Sequence, residues 1–503
     1  MRAAVAVALL TAVLQTSASA QSGAYRVPAN AAFQTPGLAS ADLFPPIFLP
    51  FHGDWRTRTV AMPARAVNAP SGFVALEYDR SPTFVDATVS EVSRPGPQFG
   101  YLLLSSDRTR LFALSVGGNR TLQDNSSSLE LRSASQQNRL NQNMAVSGRF
   151  ALIREALDGT GLHAGIHASY VDMFRRQTSD ANTGLLVTSG GASTFDTTWS
   201  AIYDRSFFRT LSAGIELGRS STEMEILLDA SYHRSLDYRY ESNNEYSLFL
   251  SQSDPADPPF NVTERVRNNL YREVLDGQLN AVSATAWLRT NGETEGRSVF
   301  FIANVIMGFG SIDGVLGRSI LDRTTRSTDG TVVDLTESSS NVDATVDQTS
   351  NSLLFRIGSG VEGHKTFGAL TASGGLAVNA VSSTYKRIPI RRRGSLTYYE
   401  TTPVRSIGAT APLIAYLEIY RGISLLGGVI LDAGFTYSNL QSSSTNLTGT
   451  TQAADKASQL SIAARYPLGI IAKHQSGFFL QAAFGGDLAA YANWRVTLGM
   501  DLD

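Results

Sequence analysis

Not one of the 503 residues is a cysteine. Disulfides, thiolate metal sites and cysteine nucleophiles are excluded together. Charge is sparse at 17% and neither sign dominates, since Lys+Arg 42 against Asp+Glu 44 leaves a formal net charge of −2. A basic footprint for nucleic acid is therefore missing. Past the first twenty residues no apolar run approaches the roughly 18 residues of a membrane-spanning helix. The histidines form no HExxH, and no G-x-S-x-G stands in a strand-to-helix setting. Zinc-protease and hydrolase signatures are thus absent, and neither an enzyme nor a cofactor is expected.

What is present starts with an export signature. Met1-Arg2 opens positively, AAVAVALLTAVL (3–14) is apolar, and Ala18-Ser19-Ala20 has the small-residue pattern of a cleavage site. Residues 1–20 read as a signal peptide cut after Ala20. An apolar stretch of about 12 residues is too short to anchor the chain as a membrane helix.

The dominant pattern has a period of two. Leu162, Ala164, Ile166, Ala168 and Tyr170 alternate with His163, Gly165, His167 and Ser169. Leu211, Ala213, Ile215 and Leu217 alternate with Ser212, Gly214 and Glu216, and Met224, Ile226, Leu228, Ala230 and Tyr232 with Glu225, Asp229, Ser231 and His233. Similar runs recur to the last residues, where Val496, Leu498, Met500 and Leu502 oppose Arg495, Thr497 and Asp501. Alternation is the mark of a strand with one greasy face. Runs of about 10 to 16 residues exceed the usual soluble strand of about 5 or 6 and match the roughly 9 to 11 needed to cross a bilayer at a tilt. Pro412 and Pro467 interrupt otherwise regular runs, as proline does at bulges and strand ends.

The connections alternate as well. Short ones at 154–161, 218–223, 290–296, 364–368, 420–422 and 473–476 separate long polar stretches near 175–198, 236–274, 310–350, 385–404 and 438–456. Sixteen strands are favoured, with fourteen as the alternative, closing into an all-β, antiparallel up-and-down barrel over residues 71–503. Closure satisfies every backbone group within lipid. On these features the chain resembles the bacterial outer-membrane β-barrel proteins, whose periplasmic turns are short and extracellular loops long. The resemblance implies residence in the outer membrane, contact with its lipid and lipopolysaccharide, handling by the barrel-assembly machinery, and a possible homo-oligomer.

Residues 21–70 do not alternate, and LFPPIFLPF (43–51) is apolar and proline-rich. They are expected to be a periplasmic tether or strand lead-in. The alternative is a plug in the barrel, as in the long-chain fatty-acid transporter family, which the layout resembles weakly.

His163 and His167 stand four residues apart. On a strand that is roughly 13 Å, too far for both to reach one zinc ion at about 2.0 Å. They are expected to line the lumen. The same face carries Arg149, Glu216, Glu223, Glu225, Asp229, His233, Arg356, Glu362, Asp432, Arg465 and Arg495. Glu216, Glu223, Glu225 and Asp229 should form one acidic patch that biases which ions or small solutes pass. Lys386, Arg387, Arg391, Arg392 and Arg393 form a basic cluster in an external connection, suited either to solvent or to anionic lipopolysaccharide. The function these features favour is a porin-like channel for small solutes. The alternatives are a plugged transporter of apolar ligands and a non-conducting surface scaffold or adhesin.

Overall fold

The computed structural model describes residues 55–502 except 81–84, 87–88, 96–97, 130–132, 156–159, 190–191, 255–260, 292–295, 329–330, 388–390, 393–395, 447–448 and 485–493. The expected signal peptide, residues 21–54, and Arg393 lie outside the described residues.

Sixteen antiparallel staves close into one barrel. In chain order they are β1 (Gly72–Arg80), β2 (Gln98–Leu104), β3 (Arg110–Leu129), β4 (Ser133–Glu155), β5 (Gly161–Ser189) and β6 (Ala192–Ser220). Next come β7 (Met224–Asp254), β8 (Asn261–Asn291), β9 (Arg297–Thr328), β10 (Thr331–Phe367) and β11 (Leu370–Arg387). β12 (Leu396–Tyr420), β13 (Ile423–Asn446), β14 (Gly449–Arg465, resuming at Leu468–Lys473), β15 (Phe478–Phe484) and β16 (Trp494–Leu502) complete the wall. Val89–Pro95 prolongs the β2 stave along β3. Each stave pairs with the next, and β1 meets β16 in nine registered pairs, Gly72↔Leu502 to Arg80↔Trp494. That last pairing removes both sheet edges.

Both prolines act locally. Pro467 separates the two pieces of β14. Pro412 stays paired with Ile430 of β13, while the ladder to β11 skips from Gly374↔Leu413 to Ala377↔Thr410. A missing N–H is tolerated where only one neighbour loses a bond.

The alternation places apolar residues outside. On β5, Ile166 is 59% exposed on the outer face while His163 is 4% exposed within. Leu217, Ile215 and Leu211 of β6 and Leu228 and Tyr232 of β7 continue the outer band. The band is only four or five alternate positions tall, yet the staves run on far above it. β10 has 37 residues, roughly 120 Å at 3.3 Å each. Among the described residues the five polar stretches expected as loops are largely ladder: β5 and β6 stay in register to Ser189↔Ala192, and β9 and β10 stay paired to Thr328↔Thr331 with one register shift between Arg326 and Ser327. Hydrophobic alternation reports a face covered by something apolar. Backbone pairing continues without it, because serine, threonine and asparagine strands satisfy the same hydrogen bonds.

Candidate functional site

At the end of the barrel where β1, β3, β5 and β7 begin, the chain's own N-terminal portion packs against inward side chains. Trp55–Ala61 forms a helix, α1, followed by a 3₁₀ turn over Pro63–Asn68. Pro63 at the turn's first position has no N–H to leave unsatisfied. Val60 and Ala66 pack with Phe73, Leu102, Leu111, Ile153 and Phe479. On the opposite side Met62 and Ala64 pack with Leu227, Trp287, Phe300 and Ile302, all inward. Small residues allow the close approach: a Cβ on Gly161 would fall 2.1 Å from the Ala64 carbonyl oxygen. Residues 55–69 of this segment thus pack against inward-facing side chains of the wall. A nonperiodic sequence with alternating small and large apolar residues packs within a lumen, where no common outer face exists to impose a period.

Polar latches surround this packing. The Arg56 guanidinium lies 3.9 Å from the Phe479 ring centroid and 4.8 Å from that of Trp55, and its Nε donates to Asp501 at 2.8 Å. Lys473 reaches the other Asp501 oxygen at 3.0 Å. Arg149 donates to the Val60 carbonyl and stands 3.2 Å from Glu216. Arg65 grips Glu225 with two N–H groups, Nε at 2.6 Å, and the same carboxylate accepts from Arg289 at 3.1 Å and Ser220 at 3.0 Å. Arg289 continues to Glu362 at 2.9 Å, which Ser298 also caps at 2.9 Å. This segment and the wall are thereby joined by charge-assisted, forked bonds, the stronger kind.

A turn outside the wall adds one more contact. Arg108 is the one non-glycine residue with positive φ (55°) among the described residues, and it donates to the Val67 carbonyl at 3.0 Å. Asp107 beside it accepts from Ser105 and from the Thr109 amide at 3.2 Å. Those bonds, Ser105 foremost, push the Asp107 carboxyl down to about 2.

The two histidines of β5 turn to different partners. Ala64 N–H donates to His163 Nδ1 at 3.1 Å, which leaves the ring's own proton on Nε2, 3.9 Å from Glu216. His167 Nε2 meets Asp229 at 2.5 Å, and Ser231 donates to the second Asp229 oxygen at 2.9 Å. His233 bridges three staves, with Ser212 at 2.7 Å on Nδ1 and Ser283 at 2.9 Å on Nε2. Glycines make room: Gly218 is the cross-strand partner of His163 and Gly214 of His167, and a Cβ at either would strike the imidazole.

The expected single acidic patch is not what forms. Glu216 is taken by Arg149, Glu225 by Arg65 and Arg289, and Asp229 by His167. Glu223 sits exposed in the turn before β7, away from the lumen. Burial is the reason, because uncompensated like charges cannot share a space this dry. Farther round, Asp432 pairs with Arg465 at 2.9 Å and accepts from Thr410 at 2.8 Å. Arg356 faces inward from β10 opposite Asn304. Arg495 is placed only by its backbone, opposite Asp79, and Lys386, Arg387, Arg391 and Arg392 likewise only by theirs. The alternation would have exposed Arg289, which stands opposite in phase to outward Leu288. Nothing in the sequence pattern marks Arg56 or Arg65.

No family model matches the chain, and no curated protein matches it. Among solved structures it aligns with the CymD monoaromatic hydrocarbon channel at TM-score 0.26 and 10% identity, over 94% of this chain and 99% of that one. A Pseudomonas aeruginosa FadL homologue gives 0.27 and 9%, over 94% and 98%. The Pseudomonas putida toluene transporter TodX gives 0.30 and 12%, over 83% and 100%. Scores of this size carry no argument about function.

Proposed function

We propose that the chain is an outer-membrane transporter whose lumen is closed by its own residues 55–69, and that it moves apolar rather than small hydrophilic solutes. The observation that carries this reading is the double fastening of the plug, by buried ion pairs on Arg56 and Arg65 and by apolar contacts to Trp287 and Phe300. An open porin has no use for an inward wall bearing Leu227, Trp287, Phe300, Ile302 and Ile306. A transporter of apolar solutes does, since each such side chain offers a ligand about the same apolar contact that burial gives a core residue. The outward apolar band supplies the lipid-facing surface.

Planar-bilayer recording tests the reading. The intact protein should be almost silent, and removal of residues 21–70 should open a stable conductance. Porin-like conductance from the intact protein, unchanged by the deletion, would sink it. The polar upper staves favour a second reading, a surface scaffold. A barrel that stays silent after the deletion supports that one.

A further inference from the structure

On one side of the barrel the outward face changes character above the apolar band. Past Tyr170 of β5 and Leu211 of β6 come Asp172 and Arg209, then Phe174 and Phe207, then Arg176 and Arg205. At comparable heights the outward positions of β8, β9, β11 and β13 are Asn280, Ser311, Ser382 and Asn439, and that of β12 is Arg405. Three arginines on two adjacent staves, against the single Arg405 of β12, mark this side.

Two arginines on this side are neutralised within the protein. Arg209 lies 3.4 Å from Asp172 and 3.6 Å from Asp237, and Arg239 of β7 pairs with Glu241 at 2.6 Å and lies 3.9 Å from Asp276. Arg176 and Arg205 are different. They are direct cross-strand partners, and no carboxylate among the described residues forms an ion pair with either. Like charges set directly opposite destabilise a ladder. Glu241, the partner of Arg205 on β7, is engaged by Arg239. The Arg205 guanidinium is held 4.3 Å from the Phe207 centroid and 5.7 Å from that of Phe174, and the two rings are 5.0 Å apart. Its Nε is buried without a hydrogen-bond acceptor. Two guanidinium groups set opposite each other, neither paired with a carboxylate among the described residues, are arranged for an anion that accepts from both.

Position decides which anion. Arg176 is the sixteenth residue of β5, so at a tilt near 45° it stands roughly 35 Å above the strand's start, beyond a band about 25 Å tall. That is headgroup level, with the Phe174–Phe207 pair just beneath it. We infer that the outward face of β5 and β6 binds the phosphate of an anionic glycolipid in the outer leaflet. Arg176 and Arg205 act as the forked donors, and the phenylalanine pair lies against the first acyl carbons. The inference rests on the membrane reading above.

The test uses the full chain in phosphatidylcholine vesicles with or without bis-phosphorylated lipid A, read by the temperature at which the folded band is lost on a detergent gel. Lipid A should raise that temperature, whereas dephosphorylated lipid A or inorganic phosphate should not. R176Q/R205Q should lose the rise. R405Q, which removes an outward arginine of β12, should keep it. R205K, which retains the charge but not the fork, covers the case in which the double variant does not fold, and should lose part of the rise. A rise that survives in R176Q/R205Q, that is undiminished in R205K, or that inorganic phosphate reproduces, overturns the inference. Insertion into plain phosphatidylcholine is a separate readout. Failure to insert undermines the membrane reading itself, while insertion with no response to lipid A refutes only the lipid site.

Discussion

The plugged end of the barrel and its tall upper wall use the same residue types to opposite effect. At the plugged end Glu225, 6% exposed, is shared by Arg65 and Arg289. In the upper wall Asp322 and Arg265 form an equally regular fork at 2.7 and 3.1 Å, but with the side chains 23% and 45% exposed. Stripping one partner from a buried pair leaves a charge that water cannot reach, whereas an exposed partner simply hydrates. The difference teaches that ion pairs fix the plug in place and only decorate the rim.

Breaking the buried side should give the largest effect. E225A orphans Arg65 and leaves Arg289 to Glu362 alone, and is expected to cost about 3–5 kcal/mol, seen as a lower urea midpoint in detergent together with faster proteolysis near Arg65. An unchanged midpoint would mean that plug and wall are not coupled through this carboxylate. A smaller loss is expected from G218A, because the new Cβ would lie 2.0 Å from His163 Cε1. Displacing the ring should cost about 1–3 kcal/mol and speed exchange of the Ala64 amide. If that amide stays protected, His163 is not its anchor.

The rim gives the smallest response. D322N should be near-silent at neutral pH and fully masked by salt. The hydrogen bond from Arg265, ahead of the other causes, holds the Asp322 carboxyl below its usual value. A lowered folded-state value means the contribution is complete above the ordinary aspartate value of about 3.9 and is lost as pH falls through the lowered one. Wild type and D322N should therefore run parallel from pH 8 to 5 and converge only in acid. Divergence between pH 8 and 5 would show that Asp322 does more than pair with Arg265.

Much of the wall was legible before any coordinates. The alternation around His163 and Ile166 placed one inside and the other outside, because a strand beside an apolar surface must sort its side chains by face. The polar stretches hold more strand than the alternation marks, for a related reason. Polar stretches such as 310–350 lose the alternation once nothing apolar covers them, yet they stay paired to Thr328↔Thr331. The charge partners were illegible. Glu216 and Glu225 looked alike in sequence, but one meets Arg149 from two staves away and the other Arg65 of the N-terminal segment.

Sequence by itself determined the period and the short turns and narrowed the stave count to sixteen or fourteen, since these follow from local rules that each segment obeys alone. Only the tertiary structure decided that residues 55–69 pack against the inward wall and which carboxylate each arginine takes. Those outcomes depend on which distant segments share a dry, confined space, and an ion pair such as Arg56 with Asp501, 445 positions apart, leaves no trace in local pattern.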